Sequence, residues 1–116
     1  MLVHSWNRDD RTYEPAYNVL SARLPRMGDG PYEGGAWVSV APGTTMTPHV
    51  NPPGESEIFF VLAGTGTFVV DGTSLRLGPG DSVLVPKGAD HTLHNDGVGE
   101  MNLLALWWGA TGPVAT

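Results

Sequence analysis

The sequence predicts an all-β protein folded as an antiparallel jelly-roll barrel. Three observations favour this fold class. Short apolar runs alternate with turn-forming clusters along most of the 116 residues, the chain contains 16 glycines and 10 prolines, and no stretch shows the 3.6-residue period of an amphipathic helix. A double-sheet roll buries many short strands while it shields their edges. The length is that of one domain.

The first four strands are defined by the turns between them. A glycine-rich cluster, residues 27–31, follows the first run, and the Ala-Pro-Gly and Pro-Pro-Gly segments at 41–43 and 52–54 follow the second and third. Proline cannot continue the ladder of a central strand, and glycine supplies the positive φ that tight turns need. These turns predict strands at residues 19–24, 36–40, 44–49 and 57–62.

The remaining five strands follow from the same signals. Asp71 and Gly72 come directly after an apolar run and predict a hairpin, because both central residues of the favoured two-residue turn need positive φ. The segment 78–80 introduces a short apolar run that Pro86 ends. The predicted strands cover residues 67–70, 74–77, 82–85, 91–94 and 101–108.

Residues 1–18 differ in character from the rest of the chain. They are polar, with scattered charge and three aromatic side chains, Trp6, Tyr13 and Tyr17. We expect an arm that lies across the surface of a barrel domain spanning residues 19–116, with His4 solvated. The N-terminus lacks a basic segment followed by an apolar stretch, and no apolar run approaches the ~20 residues of a spanning helix. A cytoplasmic protein is the expectation.

Composition excludes several classes of partner and site. Six basic residues stand against twelve acidic ones, a net charge of -6, and no cluster of lysine or arginine exists to neutralise a phosphate backbone. We therefore expect neither nucleic acid nor an anionic membrane as a partner. The chain has no cysteine, which excludes disulfides and thiolate ligands. Any metal ion must be held by nitrogen and oxygen.

The segment from residue 80 to residue 95 is the most informative part of the chain. It predicts a turn, a short buried strand, a second turn and then a histidine, His91, which the scaffold holds in the interior. The spacing is G-x5-P-x-G-x2-H-x3-N, formed by Gly80, Pro86, Gly88, His91 and Asn95.

A second segment, upstream of the first, also contains glycine and potential ligand residues at fixed spacings. Its spaced residues are Gly43, His49, Glu57 and Gly64. Together the two segments, which span residues 43–95, resemble the two motifs of the cupin superfamily in the family's order. The resemblance implies a small barrel of the double-stranded β-helix type. It also implies a divalent metal ion, iron, manganese, zinc or nickel, with His49, Glu57 and His91 as its ligands.

The chain departs from the family's pattern at Asn51, which stands where the family has a second histidine. A neutral amide oxygen is a poor ligand for a transition metal. The two histidines and one carboxylate that remain are the ligand complement of the facial triad, which leaves positions open for substrate or dioxygen. From the vacated position Asn51 could hydrogen-bond the substrate or a metal-bound water.

Two carboxylates compete for the ligand position. Five residues separate Asn51 from Glu57, where the family has three or four, and Glu55 lies between them. Counting back from Gly64 favours Glu57, which begins a strand that would fix its direction, whereas Glu55 follows a Pro-Pro-Gly turn. Glu55 could instead lie at the barrel mouth as an acid or base.

The alternation of strand residues predicts which side chains share the interior. On this basis His94 lies on the opposite face from His91. Large aromatic residues such as Trp37 and Trp107 are expected to fill the core or an interface. The predicted interior groups are His49 with Asn51, then Glu57 with Phe59 and Val61, and His91 with Leu93 and Asn95.

Two functions follow as hypotheses. In the first, a metal-dependent enzyme acts on a small organic molecule in the barrel by oxygenase, isomerase, lyase or cyclase chemistry, with Asn51 and Glu55 beside the metal ligands. The alternative is a non-catalytic module that binds a small ligand. The resemblance also implies a homodimer, for which the N-terminal arm and the tryptophan-rich last strand, residues 103–108, could pair across a two-fold axis.

Overall fold

The computed structural model describes residues 1–109, which contain ten strands and a 3₁₀-helix at Arg8–Asp10. Within these residues no helix is long and apolar enough to span a bilayer. The strands are β1 (Thr12–Glu14), β2 (Val19–Leu24), β3 (Gly34–Val40), β4 (Thr45–Val50), β5 (Ser56–Ala63), β6 (Gly66–Val70), β7 (Thr73–Leu77), β8 (Ser82–Val85), β9 (Asp90–His94) and β10 (Met101–Trp108).

The strands form two antiparallel sheets. One has six strands in the order β1-β2-β3-β10-β5-β8, and the other has four in the order β4-β9-β6-β7. Apolar side chains from both sheets meet between them, as in the contact of Phe59 on β5 with Phe68 on β6, whose ring centroids are 5.6 Å apart. The predicted all-β jelly-roll fold is confirmed.

All nine predicted strands are present, with bounds that differ from the prediction by no more than two residues. The hairpin at Asp71 and Gly72 has φ values of 46° and 81°, as its turn requires. Side chains alternate as expected, since Glu57, Phe59 and Val61 are buried along β5. The turn residues and the two-residue period were sufficient to place these elements.

Strand β1 was not predicted. It pairs with β2, with Tyr13 opposite Leu20, and so joins part of the N-terminal segment to the six-stranded sheet. A run of three residues is too short to show alternation, which is why the sequence gives no signal for it. The division into an arm, 1–18, and a barrel, 19–116, stays a prediction, and residues 110–116 lie outside the described part of the chain.

The pairing of the last strand with a second copy across a two-fold axis stays a prediction, and it cannot be made through backbone hydrogen bonds of β10. Strand β10 lies between β3 and β5 and is hydrogen-bonded to both, so neither of its edges is available to another chain. Its central position agrees with the apolar run that made it recognisable, since Met101, Leu103 and Ala105 are buried in the core.

Two glycines allow the stability cost of a positive φ to be distinguished from the cost of a steric collision. Gly64 has φ 80°, and a Cβ there would lie 2.8 Å from the Glu100 carbonyl oxygen. Gly72 has φ 81° with open space around it. Urea denaturation should show that Gly72→Ala costs about 1 kcal/mol, the penalty of a left-handed alanine. Gly64→Ala should cost at least about 1 kcal/mol more. Equal losses would contradict the collision.

Candidate functional site

A cavity of about 220 Å³ lies between the two sheets. Its wall combines aromatic, apolar and ionisable side chains, and three of the predicted site residues, His49, Asn51 and Glu57, are among them. Glu55 also lines it. The volume corresponds to roughly seven water molecules of liquid, so any ligand is small.

His91 is buried behind this wall, with 1% of its surface exposed. Its Nδ1 lies 3.2 Å from the Ala89 carbonyl oxygen, which only accepts hydrogen bonds, so Nδ1 carries the proton. Nε2 therefore presents a lone pair, and it has no hydrogen-bond partner. The Glu57 Oε1 atom is 3.7 Å from Nε2. Burial lowers the pKa of His91, more than the Ala89 hydrogen bond raises it, and keeps the imidazole neutral.

His49 is half-buried and lies opposite His91 in the β4–β9 pair, with the two ring centroids 4.3 Å apart. Its Nδ1 lies 2.8 Å from the Thr47 carbonyl oxygen, so Nε2 again carries the lone pair. A ligating histidine commonly uses its second nitrogen in this way, because the hydrogen bond fixes both tautomer and ring orientation. The Tyr17 ring also contacts His49, with 4.7 Å between the two ring centroids.

An irregularity in β4 organises this corner. The β4–β9 register shifts between Met46 and His49, and Pro48 has no N–H to donate to the ladder. The Thr92 hydroxyl donates to the Met46 carbonyl oxygen instead. Both backbone groups of Thr47 then bond to residues of the site. Its N–H donates to the Tyr17 carbonyl oxygen, and its carbonyl oxygen accepts from His49 Nδ1.

Glu57 is held by Asn51, whose amide Nδ2 donates to Glu57 Oε1 over 3.1 Å. Burial raises the pKa of Glu57 to about 7, and the Asn51 hydrogen bond offsets only part of that effect. Both side chains are buried. Asn51, which stands where the family's motif has a histidine, thus orients the Glu57 carboxylate beside His91.

Glu55 occupies the turn before β5, where its N–H donates to the Pro52 carbonyl oxygen. It is half-buried, and burial, together with the nearby Glu33, raises the pKa of its carboxyl group. The carboxylate that faces His91 is that of Glu57, whereas Glu55 lies along the cavity wall.

The other two histidines of the chain, His4 and His94, do not line the cavity. His94 is exposed and its Nδ1 lies 2.7 Å from the Thr45 hydroxyl, and His4 is exposed in the N-terminal segment. Asn95 is fully buried and donates to the carbonyl oxygens of Val40 and Gly99, a structural role at the end of the second motif.

The three donor groups, His49, Glu57 and His91, are of the kinds that bind divalent metal ions, and two of them lie at a suitable distance from each other. Two imidazoles and a carboxylate are nitrogen and oxygen donors, and the 3.7 Å between His91 Nε2 and Glu57 Oε1 is less than twice a metal–ligand bond of about 2.1 Å. Across residues 1–109, no three His, Cys, Asp or Glu side chains converge closely enough to hold a metal ion as they stand. The third donor, His49, would have to turn toward the pair.

Sequence reasoning missed four polar or aromatic residues of the cavity wall. Glu14 and Tyr17 come from the segment expected to lie across the surface, and Trp107 was expected to fill the core or an interface. Arg23 was not considered, although the alternation of β2 puts it on the same face as Val19, which is buried in the core. A charged residue on the inward face of a predicted strand is a signal that could have been used.

Comparison with known proteins supports the family at several levels. One relative is dimethylsulfoniopropionate lyase DddQ of Ruegeria pomeroyi, 39% identical over 84 residues, which are 70% of this chain and 41% of that protein. Another is 5-aminosalicylate 1,2-dioxygenase of Comamonas, 45% identical over 51 residues, 44% of this chain and 13% of the dioxygenase. The oxalate-binding protein of Thermotoga maritima is 30% identical over 71 residues, 61% and 58% of the two chains.

These matches cover less than two thirds of each relative's own length. A solved structure gives wider coverage: a cupin 2 conserved barrel domain protein from Salinispora arenicola is 28% identical, with a TM-score of 0.80 over 95% of this chain and 90% of that one. Residues 36–107 match the Cupin_2 family of cupin domains, and this range contains both motifs, all of β4–β9 and most of β3 and β10. The chain belongs to the cupin family.

Proposed function

We propose that the protein is a small metal-dependent enzyme that acts on a small organic molecule in the barrel cavity. One observation carries the proposal: the buried Nε2 atom of His91 has no hydrogen-bond partner and lies beside a buried carboxylate. Buried polar atoms are satisfied in the great majority of cases, and an exception calls for a ligand, an ion or a water. The donor set here suits a divalent cation.

The roles of the three donors follow from their surroundings. His49 and His91 would each bind through Nε2, because a backbone carbonyl oxygen holds the proton on Nδ1. Glu57 would bind as a carboxylate, and loss of its proton near neutral pH would accompany binding. A bound divalent ion would supply polarisation of a substrate oxygen or activation of dioxygen.

Two further residues would act on the substrate side. Asn51 positions Glu57 through its amide group and has its carbonyl oxygen left to orient a ligand in the cavity. Glu55, whose pKa is raised by burial, is the spare carboxyl group on the wall and the candidate to accept or donate a proton. Oxygenase, isomerase, lyase or cyclase chemistry fits this set.

The relatives support enzymatic chemistry without selecting the reaction. Two of them are named as a dioxygenase and a lyase. The third is named as an oxalate-binding protein, and this favours the alternative, a non-catalytic module that binds a small ligand. The presence of Asn51 instead of histidine also favours it, because one fewer strong donor is available.

A homodimer in the cytoplasm remains part of the proposal. The outward face of the six-stranded sheet is apolar across three adjacent strands, as an obligate interface would be. The residues that form it on β5, β8 and β10 are Ile58, Phe60, Leu62, Leu84, Leu104 and Leu106.

Metal content tests the ligand assignment. After incubation with iron, manganese, zinc or nickel and gel filtration, elemental analysis should find about one metal ion per wild-type chain. His91→Ala should remove it, and His94→Ala, which changes a histidine on the opposite face, should not. Metal retained by His91→Ala would contradict the assignment, and a wild-type protein that holds none would contradict the enzyme proposal.

Burial of Glu57 predicts a pH effect in the metal-free protein. Because its pKa is about 7 when folded and 4.5 ordinarily, the folded chain holds a proton that the unfolded chain releases between these values. Wild-type stability relative to Glu57→Gln should therefore fall as pH rises from 4.5 to 7, by up to roughly 3 kcal/mol, and level off above.

Urea denaturation of both proteins in EDTA measures this difference. The lowered pKa of His91 works in the opposite direction and is common to both proteins, so the comparison isolates Glu57. A constant stability difference across this range would show that the Glu57 carboxyl group is not the source.

The oligomeric state can be tested at the apolar face. Light scattering should give twice the monomer mass of 12.3 kDa for the wild-type protein and the monomer mass for Phe60→Glu. Thr73→Glu, on the exposed hairpin of the other sheet, is the control and should leave the mass unchanged. A wild-type mass of one chain would contradict the dimer.

A further inference from the structure

Among residues 1–109, Arg23 is the one with a permanent positive charge on the cavity wall, which it shares with Glu14, Glu55 and Glu57. Its side chain is 57% exposed, so it lies where the cavity meets solvent. Its charge lowers the pKa of both Glu55 and Glu57, which places it within electrostatic reach of the buried end of the site. Among the charged side chains that line the described cavity, Arg23 attracts an anion, whereas the three carboxylates repel it.

The Arg23 guanidinium is held from two sides. Its central carbon lies 5.3 Å from the centre of the Trp107 ring, a cation–π contact that fixes the plane. Its Nη2 atom donates to Glu14, whose other oxygen accepts from the buried Ser21 hydroxyl. The Ser21 hydrogen bond therefore holds the Glu14 carboxylate in place, and this carboxylate in turn holds the arginine.

The rest of the guanidinium is open. No residue of the described chain accepts a hydrogen bond from Nε or Nη1 of Arg23. Arginine presents five N–H donors in a rigid plane, and a carboxylate accepts two of them side by side. An arginine that is held in place with one edge unpaired, on the wall of a cavity, suits that geometry better than a flexible surface arginine does.

We infer that Arg23 binds a carboxylate group of the substrate, so that the protein acts on small organic acids. The inference rests on the proposed function and deepens it, because it names the class of molecule for the same cavity. The cavity admits a molecule of modest size, with the carboxylate at Arg23 and the reacting end toward His49 and Glu57. Phe59 and Trp107 would contact its apolar part.

Matched ligand pairs test this directly. Benzoate and propionate are compared with benzamide and propionamide, which have similar shapes and no charge, by titration calorimetry at pH 6 in EDTA. The wild-type protein should bind at least one acid about tenfold more tightly than its amide. Arg23→Gln should abolish this preference while it changes amide binding by less than about twofold. Arg23→Lys should lose part of it, because an ammonium lacks the fork.

Two controls separate recognition from structure. Glu14→Gln frees the guanidinium from its ion pair and should keep or strengthen acid binding, whereas a merely structural Glu14–Arg23 pair predicts the same loss from either change. Arg76→Gln alters an exposed arginine that pairs with Asp96 on the other sheet and should bind as wild type. Circular dichroism melting confirms that each variant is folded.

The inference is overturned if the wild-type protein binds neither acid, if acids and amides bind alike, or if Glu14→Gln and Arg23→Gln lose acid binding equally. The metal proposal fails separately, since His91→Ala should retain the preference for acids. If the protein binds no metal but still prefers acids through Arg23, the carboxylate site stands and the metal proposal fails. If it binds metal but shows no preference for acids, the metal proposal stands and this inference fails.

Discussion

Insertion of β10 between β3 and β5 is the pairing on which the rest of the structure depends. It completes the six-stranded sheet and sets Trp107 opposite Glu57 on one side and opposite Gly34 on the other. A Cβ at Gly34 would lie 2.9 Å from the Trp107 ring, so the absence of a side chain there makes room for the indole. One register thus fixes both the buried carboxylate and the aromatic platform of Arg23, which lie side by side on the cavity wall.

Much of this arrangement follows from local signals in the sequence. Turn residues and two-residue alternation placed nine strands, and the alternation of β5 and β9 put Glu57 and His91 in the interior. What could not be predicted depends on a strand pairing for which the sequence carries no pattern. The Glu14–Arg23 pair requires β1 to lie beside β2, and a three-residue strand carries no pattern that announces it.

Asn51 shows how a departure from a motif acquires a physical meaning only in three dimensions. The resemblance to the family's first motif implies that a histidine is missing at this position. The fold shows an amide that donates to Glu57, a bond that partly offsets the cost of a buried carboxylate and directs its oxygen toward His91. The site has one donor fewer for a metal, whereas the added hydrogen bond lowers the pKa of Glu57 and so weakens the proton's competition with a metal for this carboxylate.

The irregularity at Thr47 and Pro48 has a consequence beyond the cavity. Strand β4 is an edge strand of its sheet, and an unbroken edge is a template on which a strand from another molecule can add. The register shift and the missing proline N–H interrupt that template at its middle, and Thr47 turns its N–H to Tyr17 within the same chain. The device that aims His49 therefore also protects the protein against edge-to-edge aggregation, and repairing the strand to regular β-structure would weaken both.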